Sequence, residues 1–367
     1  MAQAAAAGVE ALKRQIANEF STPAVVIDLD RVERNIARVQ QLCDRAGIVN
    51  RPHIKTHKSP VLAKMQVAAG ARGITCQKLG EAEVMAEGGI NDILISYNIL
   101  GEEKVGRLGR LLRRADITVA VDNHETIAGL PRAAELAGRP LPLVIECDTG
   151  RKRAGVETAG QAVALARAIR QQGKLEFAGF LFYPTEASWP QTQRFFDEAL
   201  KGVRELNLEP RIVSTGGTPN LAHLGELAGA TEHRAGTCIF NDRMMLACGA
   251  ALLADCALNV YATVVSRAAP ERGILDAGAK TLTADGGGLN DGFGFILEYP
   301  QAKISAFAEE HGFIDLSKSN ARPGIGEVVR VVPNHVCVVV NMVDQMIAVR
   351  GDKVVDVLPV AARGRLS

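Results

Sequence analysis

Between residues 48 and 236, short β-branched runs alternate with longer stretches of helical periodicity, and that alternation restricts the chain to a fold assembled from βα units. Eight strands are predicted: RPHIK (51–55), GITC (73–76), DILIS (92–96), ITVAV (117–121), LVIEC (143–147), FAGFLF (177–182), RIVST (211–215) and TEHRAG (231–236). Helical segments such as EAEVMAEGG and QAVALARAIRQQG follow most of them, and RLGRLLRRA (107–115) reads as the solvated face of one. The count favours an α/β fold, a (β/α)8 TIM barrel, over an open doubly wound sheet. Past residue 258 the texture becomes strands divided by Gly, Pro and Asp turns: NVYATVVSR, GILDAG, GEVVRVVPNHVCVVVNMVD, QMIAVRG and DKVVDVLPV. These predict a second, C-terminal all-β domain. AVVIDLD (24–30) is surplus to the eight barrel strands and is expected to join that β domain. The expected domains are therefore 1–30 (arm and strand), 31–257 (barrel) and 258–367 (β domain).

Composition removes several function classes. The 42 Lys and Arg nearly cancel the 41 Asp and Glu, leaving no basic field for nucleic acid or an anionic membrane. No run of about 18 uncharged apolar residues is present to span a bilayer. The alanine-rich N-terminus is interrupted by Glu10, Lys13 and Arg14 and is expected as a helix or arm, not a signal peptide. Seven scattered cysteines predict a reducing compartment, hence the cytoplasm, and no disulfide framework.

Three places in the pattern can carry chemistry. In RPHIK, strand alternation puts Arg51, His53 and Lys55 on one face, where a barrel interior is ordinarily apolar. Lys55 at the end of that strand reads either as a Schiff-base lysine or as a solvated one, and Lys58 beyond it as a surface lysine. After the seventh strand comes Ser214-Thr215-Gly216-Gly217-Thr218-Pro219, leading into the helical segment NLAHLGELAG that Thr218 can cap. After the eighth comes Arg234-Ala235-Gly236-Thr237. Two glycine–hydroxyl loops at these positions predict a phosphate site, and with Lys55 they describe a barrel holding a phosphorylated cofactor. Neither a dinucleotide fingerprint nor a P-loop competes. Third, His335 and Cys337 in PNHVC, read as a strand, point the same way and can offer imidazole and thiolate to one metal, or form a buried structural pair.

Together these segments resemble the fold-type III pyridoxal 5'-phosphate (PLP) enzymes, and among them the D-threonine aldolase and D-serine dehydratase group. The resemblance runs from STPAVVIDLDRVERNI to the final AARGR and is carried by RPHIKTHKSP and ITCQKLGEAEVMAEGGINDILIS. It implies that Lys55 is the PLP lysine and that His53, Gln77 and Tyr183 belong to the cofactor site. It implies further that Arg153 lies at the phenolate side, that Arg234 faces the pyridine nitrogen, and that Thr215, Gly216, Gly217, Gly236 and Thr237 form the phosphate cup, beside which Thr218 can donate its hydroxyl to the cofactor. Glu310 and His311 resemble a segment beside the substrate, with His311 catalytic, and His335 with Cys337 resembles a divalent-metal pair, for which a thiolate favours Zn over Mn or Mg. Two departures stand out: Pro184 occupies a histidine position of many relatives, and Cys238 a common tyrosine position.

The implied activity is a PLP- and metal-dependent lyase cleaving D-3-hydroxy amino acids to glycine and an aldehyde. A dehydratase yielding a 2-keto acid and ammonia is the alternative, favoured by Cys337 where aldolases often carry aspartate. A racemase and a non-catalytic PLP carrier come after these. The resemblance also implies a homodimer and a small D-amino acid as the partner molecule.

Overall fold

The computed structural model describes residues 2–289 and 291–367. The chain divides into two compact units, Met1–Ile36 with Thr56–Lys58 and Thr237–Arg363, and Ala37–Lys55 with Ser59–Gly236 and Gly364–Ser367. A helix, Ala2–Glu19, and strand β1 (Ala24–Asp28) come first. Eight parallel strands follow: β2 (Val49–Asn50), β3 (Ile74–Cys76), β4 (Asp92–Ile95), β5 (Asp116–Val121), β6 (Leu141–Cys147), β7 (Leu175–Phe182), β8 (Ile212–Gly216) and β9 (Glu232–Arg234). Next come β10 (Leu258–Ala269), β11 (Arg272–Leu275), β12 (Phe295–Ile296), β13 (Lys303–Phe307), β14 (Gly312–Asp315), β15 (Val328–Val332), β16 (Gln345–Arg350) and β17 (Lys353–Pro359).

In the second unit the strand order is β2-β9-β8-β7-β6-β5-β4-β3. A parallel bridge between His53 and Thr75 joins the two ends, with Thr75 N donating to Pro52 O at 2.8 Å and Arg72 N to Asn50 O at 3.0 Å, so the sheet closes into the expected barrel. Side chains of alternate strand residues fill the inside with a small apolar cluster, Leu94, Ala120, Val144, Ala178 and Leu181. Outside, Phe180 and Phe182 of β7 meet Phe195 and Phe196 of helix Trp189–Glu205 edge to face, at centroid distances of 5.8–6.2 Å. Helix Glu102–Leu112 buries Leu108, Leu111 and Leu112 and leaves Arg110 outward, the solvated face expected of it.

In the first unit β1 is central: it runs antiparallel to β10 and parallel to β16 within the order β13-β14-β11-β10-β1-β16-β17. β15 pairs with β10 and β12. Leu12 and Ile16 of the N-terminal helix pack on Val26, Tyr261, Ile347 and Val349 of this sheet. β1 thus shares one sheet with strands β10 and β16. Among the described residues no helix is long and apolar enough to cross a membrane, and no disulfide joins any pair of cysteines.

Four local expectations fail. RPHIK is not the barrel strand: that strand is Val49–Asn50 just ahead of it, and although Arg51 N and His53 N still donate to His233 O and Ala235 O, the chain then turns into a 3-10 helix, Ile54–Thr56, that contains Lys55. Lys55 therefore leaves the strand face of Arg51 and His53, because β9 ends at Arg234 and offers no further ladder. Lys58 is buried, only 4% exposed, and is no surface lysine. NLAHLGELAG forms only a short 3-10 turn, Pro219–His223, to which Thr218 gives no side-chain cap. PNHVCVVVN is not a strand past Val332: His335 is the N-cap of helix Val336–Asn341, which buries Val336, Val339 and Val340 at i, i+3 and i+4. Helical spacing of the buried valines outweighs their β propensity here.

Candidate active site

The barrel unit gathers most of the cofactor-site residues expected from the sequence around the ends of its strands. Lys55 is half-buried in its 3-10 turn, and its backbone N–H donates to His53 Nδ1 at 3.4 Å. That contact makes Nδ1 the acceptor and leaves Nε2 to donate to Gln77 Oε1 at 3.2 Å, beside Ser96 Oγ at 3.4 Å. Gln77 is itself fixed, its Nε2 donating to Ser96 O and its backbone N to Glu81 Oε2. Burial, and after it the neighbouring Lys55 and Arg234 charges, hold the His53 pKa well below the ordinary histidine value, so the ring stays neutral.

After β8 the backbone approaches its neighbours too closely for a side chain. Gly217 has φ +105, and a Cβ there would sit 2.5 Å from the Tyr183 ring; one on Gly216 would sit 3.0 Å from the Arg234 guanidinium. The two glycines form a cradle whose walls are Tyr183 and Arg234, which suits a phosphate-bearing cofactor. Asn220 Nδ2 holds it from behind, donating to Gly216 O at 2.7 Å and Pro184 O at 3.0 Å.

Thr215 plays a different part from the one expected of its hydroxyl. Its side chain is 1% exposed and lies 2.8 Å from His233 Nδ1, while His233 Nε2 lies 3.0 Å from Gly217 O. A carbonyl only accepts, so Nε2 carries the proton and Thr215 donates to Nδ1, leaving no hydroxyl proton for an anion. Burial pushes His233 down to about 4, which keeps this brace neutral.

Arg234 is buried, with Nη2 donating to Phe182 O at 3.0 Å and Nη1 to Ser214 Oγ. Burial lowers its pKa to about 10, against the pull of Glu232 and Glu146, so it remains a cation. Arg153 lies 3.5 Å from Glu146 and 5.3 Å from the centroid of Tyr183, whose ring also carries Arg151 at 4.1 Å. Burial raises the Glu146 carboxyl, and Arg153 and Arg234 oppose it. The carbonyl of Pro184 accepts from Arg151 Nη2 at 2.9 Å and from Asn220 Nδ2 at 3.0 Å. Gly236 closes the barrel unit.

The remaining candidates lie in the β-rich unit. Cys337 Sγ is 3.2 Å from the hydroxyl of Thr56, the residue after Lys55 in the chain, and 3.9 Å from that of Thr237. His335 Nδ1 is 3.2 Å from Asp242 Oδ2, which also accepts from Val336 N at 3.1 Å. A carboxylate on one imidazole nitrogen is how metal-ligating histidines are commonly oriented, and imidazole with thiol is a donor set suited to zinc. Burial opposes a charge on His335, but Asp242 and Cys337 raise its pKa to about 10, a proton that metal would have to displace. Among the described residues, no group of three or more His, Cys, Asp and Glu is placed to hold a metal ion. His311 is exposed just before β14, and Glu310 pairs with Lys280 at 3.1 Å. Sequence reasoning named Ser214 only as part of the phosphate loop and missed Glu232, His233, Glu146 and Asp242; Glu232 and His233 stand directly before the Arg234 motif it singled out.

Comparison with known proteins agrees with this layout. Residues 27–244 match the family described as alanine racemase, N-terminal domain, and residues 257–349 the putative serine dehydratase domain. The chain is 34% identical to the D-threonine aldolase of an Arthrobacter species, over 94% of this chain and 93% of that protein. It is 32% identical to the D-threo-3-hydroxyaspartate dehydratase of a Delftia species, over 87% and 91%. Its fold superposes on the crystal structure of D-threonine aldolase from Filomicrobium marinum with a TM-score of 0.87 at 32% identity, covering 94% of this chain and 96% of that one.

Proposed function

Because the chain belongs to the alanine-racemase-fold PLP enzymes that include the D-threonine aldolases and serine dehydratases, we propose that it is a PLP- and divalent-metal-dependent lyase cleaving D-3-hydroxy amino acids to glycine and an aldehyde. The observation that carries the cofactor assignment is the Gly216–Gly217 cradle walled by Tyr183 and Arg234. PLP, when bound, supplies an electron sink for the charge left on Cα as the Cα–Cβ bond breaks.

The protein's own groups divide the remaining work. Lys55 supplies the amine that holds the cofactor, and neutral His53, braced by Gln77, fixes the start of its turn. Gly216, Gly217, Thr218, Gly236 and Thr237 take the phosphate, with Thr215 acting through His233 to set the Gly217 carbonyl. Arg234 presents a fixed cation to the ring nitrogen, and Arg153 one to the phenolate side. His335 and Cys337 would hold the metal, zinc by donor softness, which would polarise the substrate hydroxyl. The hydroxyl proton is assigned to His311, an exposed imidazole.

A dehydration giving a 2-keto acid and ammonia is the second reading, favoured by the thiol at Cys337. In that outcome Lys55 takes the Cα proton and the hydroxyl leaves as water. We further assign the enzyme to the cytoplasm, supported by seven cysteines without a disulfide among them, and to a homodimer, as resemblance implies.

Incubating the purified enzyme with D-threonine and D-serine, with and without a chelator, decides between these outcomes. Glycine and acetaldehyde in equal amounts are expected from D-threonine. Ammonia without glycine overturns the aldolase reading, and activity indifferent to chelator overturns the metal.

A further inference from the structure

The inside of the barrel is unevenly filled. Toward β4–β7 it is apolar, with Leu94, Ala120, Val144, Ala178 and Leu181. Toward β2, β8 and β9 it holds a continuous string of polar side chains. Arg234 Nη1 donates to Ser214 Oγ, and Ser214 Oγ donates to Glu232 Oε1 at 2.7 Å. Arg51 Nε donates to Glu232 Oε2 at 2.8 Å, and Arg51 Nη1 to Asp92 Oδ1 at 2.5 Å.

Proton direction along this string is fixed by chemistry. A guanidinium can only donate and a carboxylate can only accept, so Ser214 must receive from Arg234 and give its single proton to Glu232. Register enforces the meeting: Ser214 lies opposite Glu232, and Gly216 opposite Arg234, across β8 and β9. Arg51, Ser214, Glu232 and Arg234 are all under 9% exposed, so the bonds among these four are shielded from water, whereas Asp92 at the end of the string is 42% exposed. Two cations alternate with two carboxylates, so the string is neutral as a whole. The same cation that walls the Gly216 cradle is therefore tied, through one hydroxyl, to a buried carboxylate.

We propose that Glu232 is a positioning residue for the cofactor site, holding Arg234 charged and oriented through the hydroxyl of Ser214. The proposal rests on the assignment of Arg234 to the PLP ring. A plain structural ion pair would need only Arg51, Glu232 and Asp92; Ser214 is the piece that such a role leaves unexplained. Glu232 is also the largest charge opposing the burial that lowers Arg234.

Ser214→Ala cuts the link while leaving the Arg51–Glu232–Asp92 pairs in place, so it tests the idea even where Glu232→Gln fails to fold. The readouts are the dissociation constant of PLP on reconstituting apoenzyme and the pH dependence of the bound cofactor's visible absorbance. Ser214→Ala is expected to weaken PLP about tenfold, the worth of one charge-assisted hydrogen bond, and to shift the absorbance profile. Ser214→Thr, which keeps the hydroxyl, should restore both. Adding Ser214→Ala to Arg234→Gln should change nothing beyond Arg234→Gln alone. A folded Ser214→Ala with wild-type affinity and absorbance, beside an Arg234→Gln that alters both, overturns the proposal. An Arg234→Gln that itself leaves the cofactor unchanged overturns the underlying assignment instead.

Discussion

His233 shows how a single side chain couples this site to pH. In the fold its ring is neutral, buried, and used at both nitrogens, and its pKa is pushed down to about 4 from the 6.5 it has when unfolded. The unfolded chain therefore binds a proton that the folded chain refuses between those two values. Stability from this group is complete above pH 6.5, is lost as pH falls toward 4, and amounts to on the order of 3 kcal/mol. Urea midpoints of the wild type should fall across that window; His53, also depressed, adds in the same direction. His233→Asn should start less stable and lose less, and an unchanged slope would remove His233 from the account. At this scale the sequence was legible where a motif is local. Lys55, Gly216, Gly217 and Arg234 announce themselves in RPHIKTHK, STGG and EHRAG. Glu232 and His233 stand beside them yet stayed silent, and Ser214 showed only as a loop hydroxyl, because their roles depend on which residue faces which across β8 and β9, and no period in the sequence sets that register.

Among the elements, seven of the eight parallel strands were legible as short, mostly apolar runs set off by turns or helical texture, while the first was misplaced, since Val49–Asn50 lies just ahead of RPHIK. The failures came where tertiary partners overrode propensity. Asp242 is the clearest of these partners: its Oδ1 caps helix Arg243–Ala247 through Met245 N at 3.0 Å, while its Oδ2 takes Val336 N and His335 Nδ1. One carboxylate thus starts two helices, and the valine run after His335 coils instead of extending. Asp242→Ala should cost about 2–4 kcal/mol, two caps and a buried donor left alone, measured by urea denaturation of the metal-free protein. Asp242→Asn keeps the Oδ1 acceptor and should lose less. Equal, near-zero losses for both would mean the helices are held by their valines alone.

For the whole molecule, the division of labour between a barrel and a β-rich unit was legible from the change of texture near residue 258, and so was the recruitment of β1. The chain's repeated crossing was not: Thr56–Lys58 belongs to the β-rich unit though it lies between barrel segments. Sequence texture marks runs, and three residues are too few to make one. A chain stopped after residue 236 would keep every barrel strand yet leave β1 without β10 or β16, exposing Val25, Val26 and Ile27, all under 5% exposed in the full fold. Such a chain should aggregate, as seen by size-exclusion chromatography, and deleting residues 1–36 from it should recover soluble material. A monodisperse 1–236 chain would contradict this.

That arrangement of β1 also orders events during synthesis. The strand is made before the barrel, and both of its neighbours after it, so it leaves the ribosome more than two hundred residues ahead of anything it can pair with. The barrel can assemble while β1 and the apolar face of the Ala2–Glu19 helix wait uncovered. Translation therefore carries a long interval in which the nascent chain presents an apolar N-terminal segment with nothing yet made to cover it.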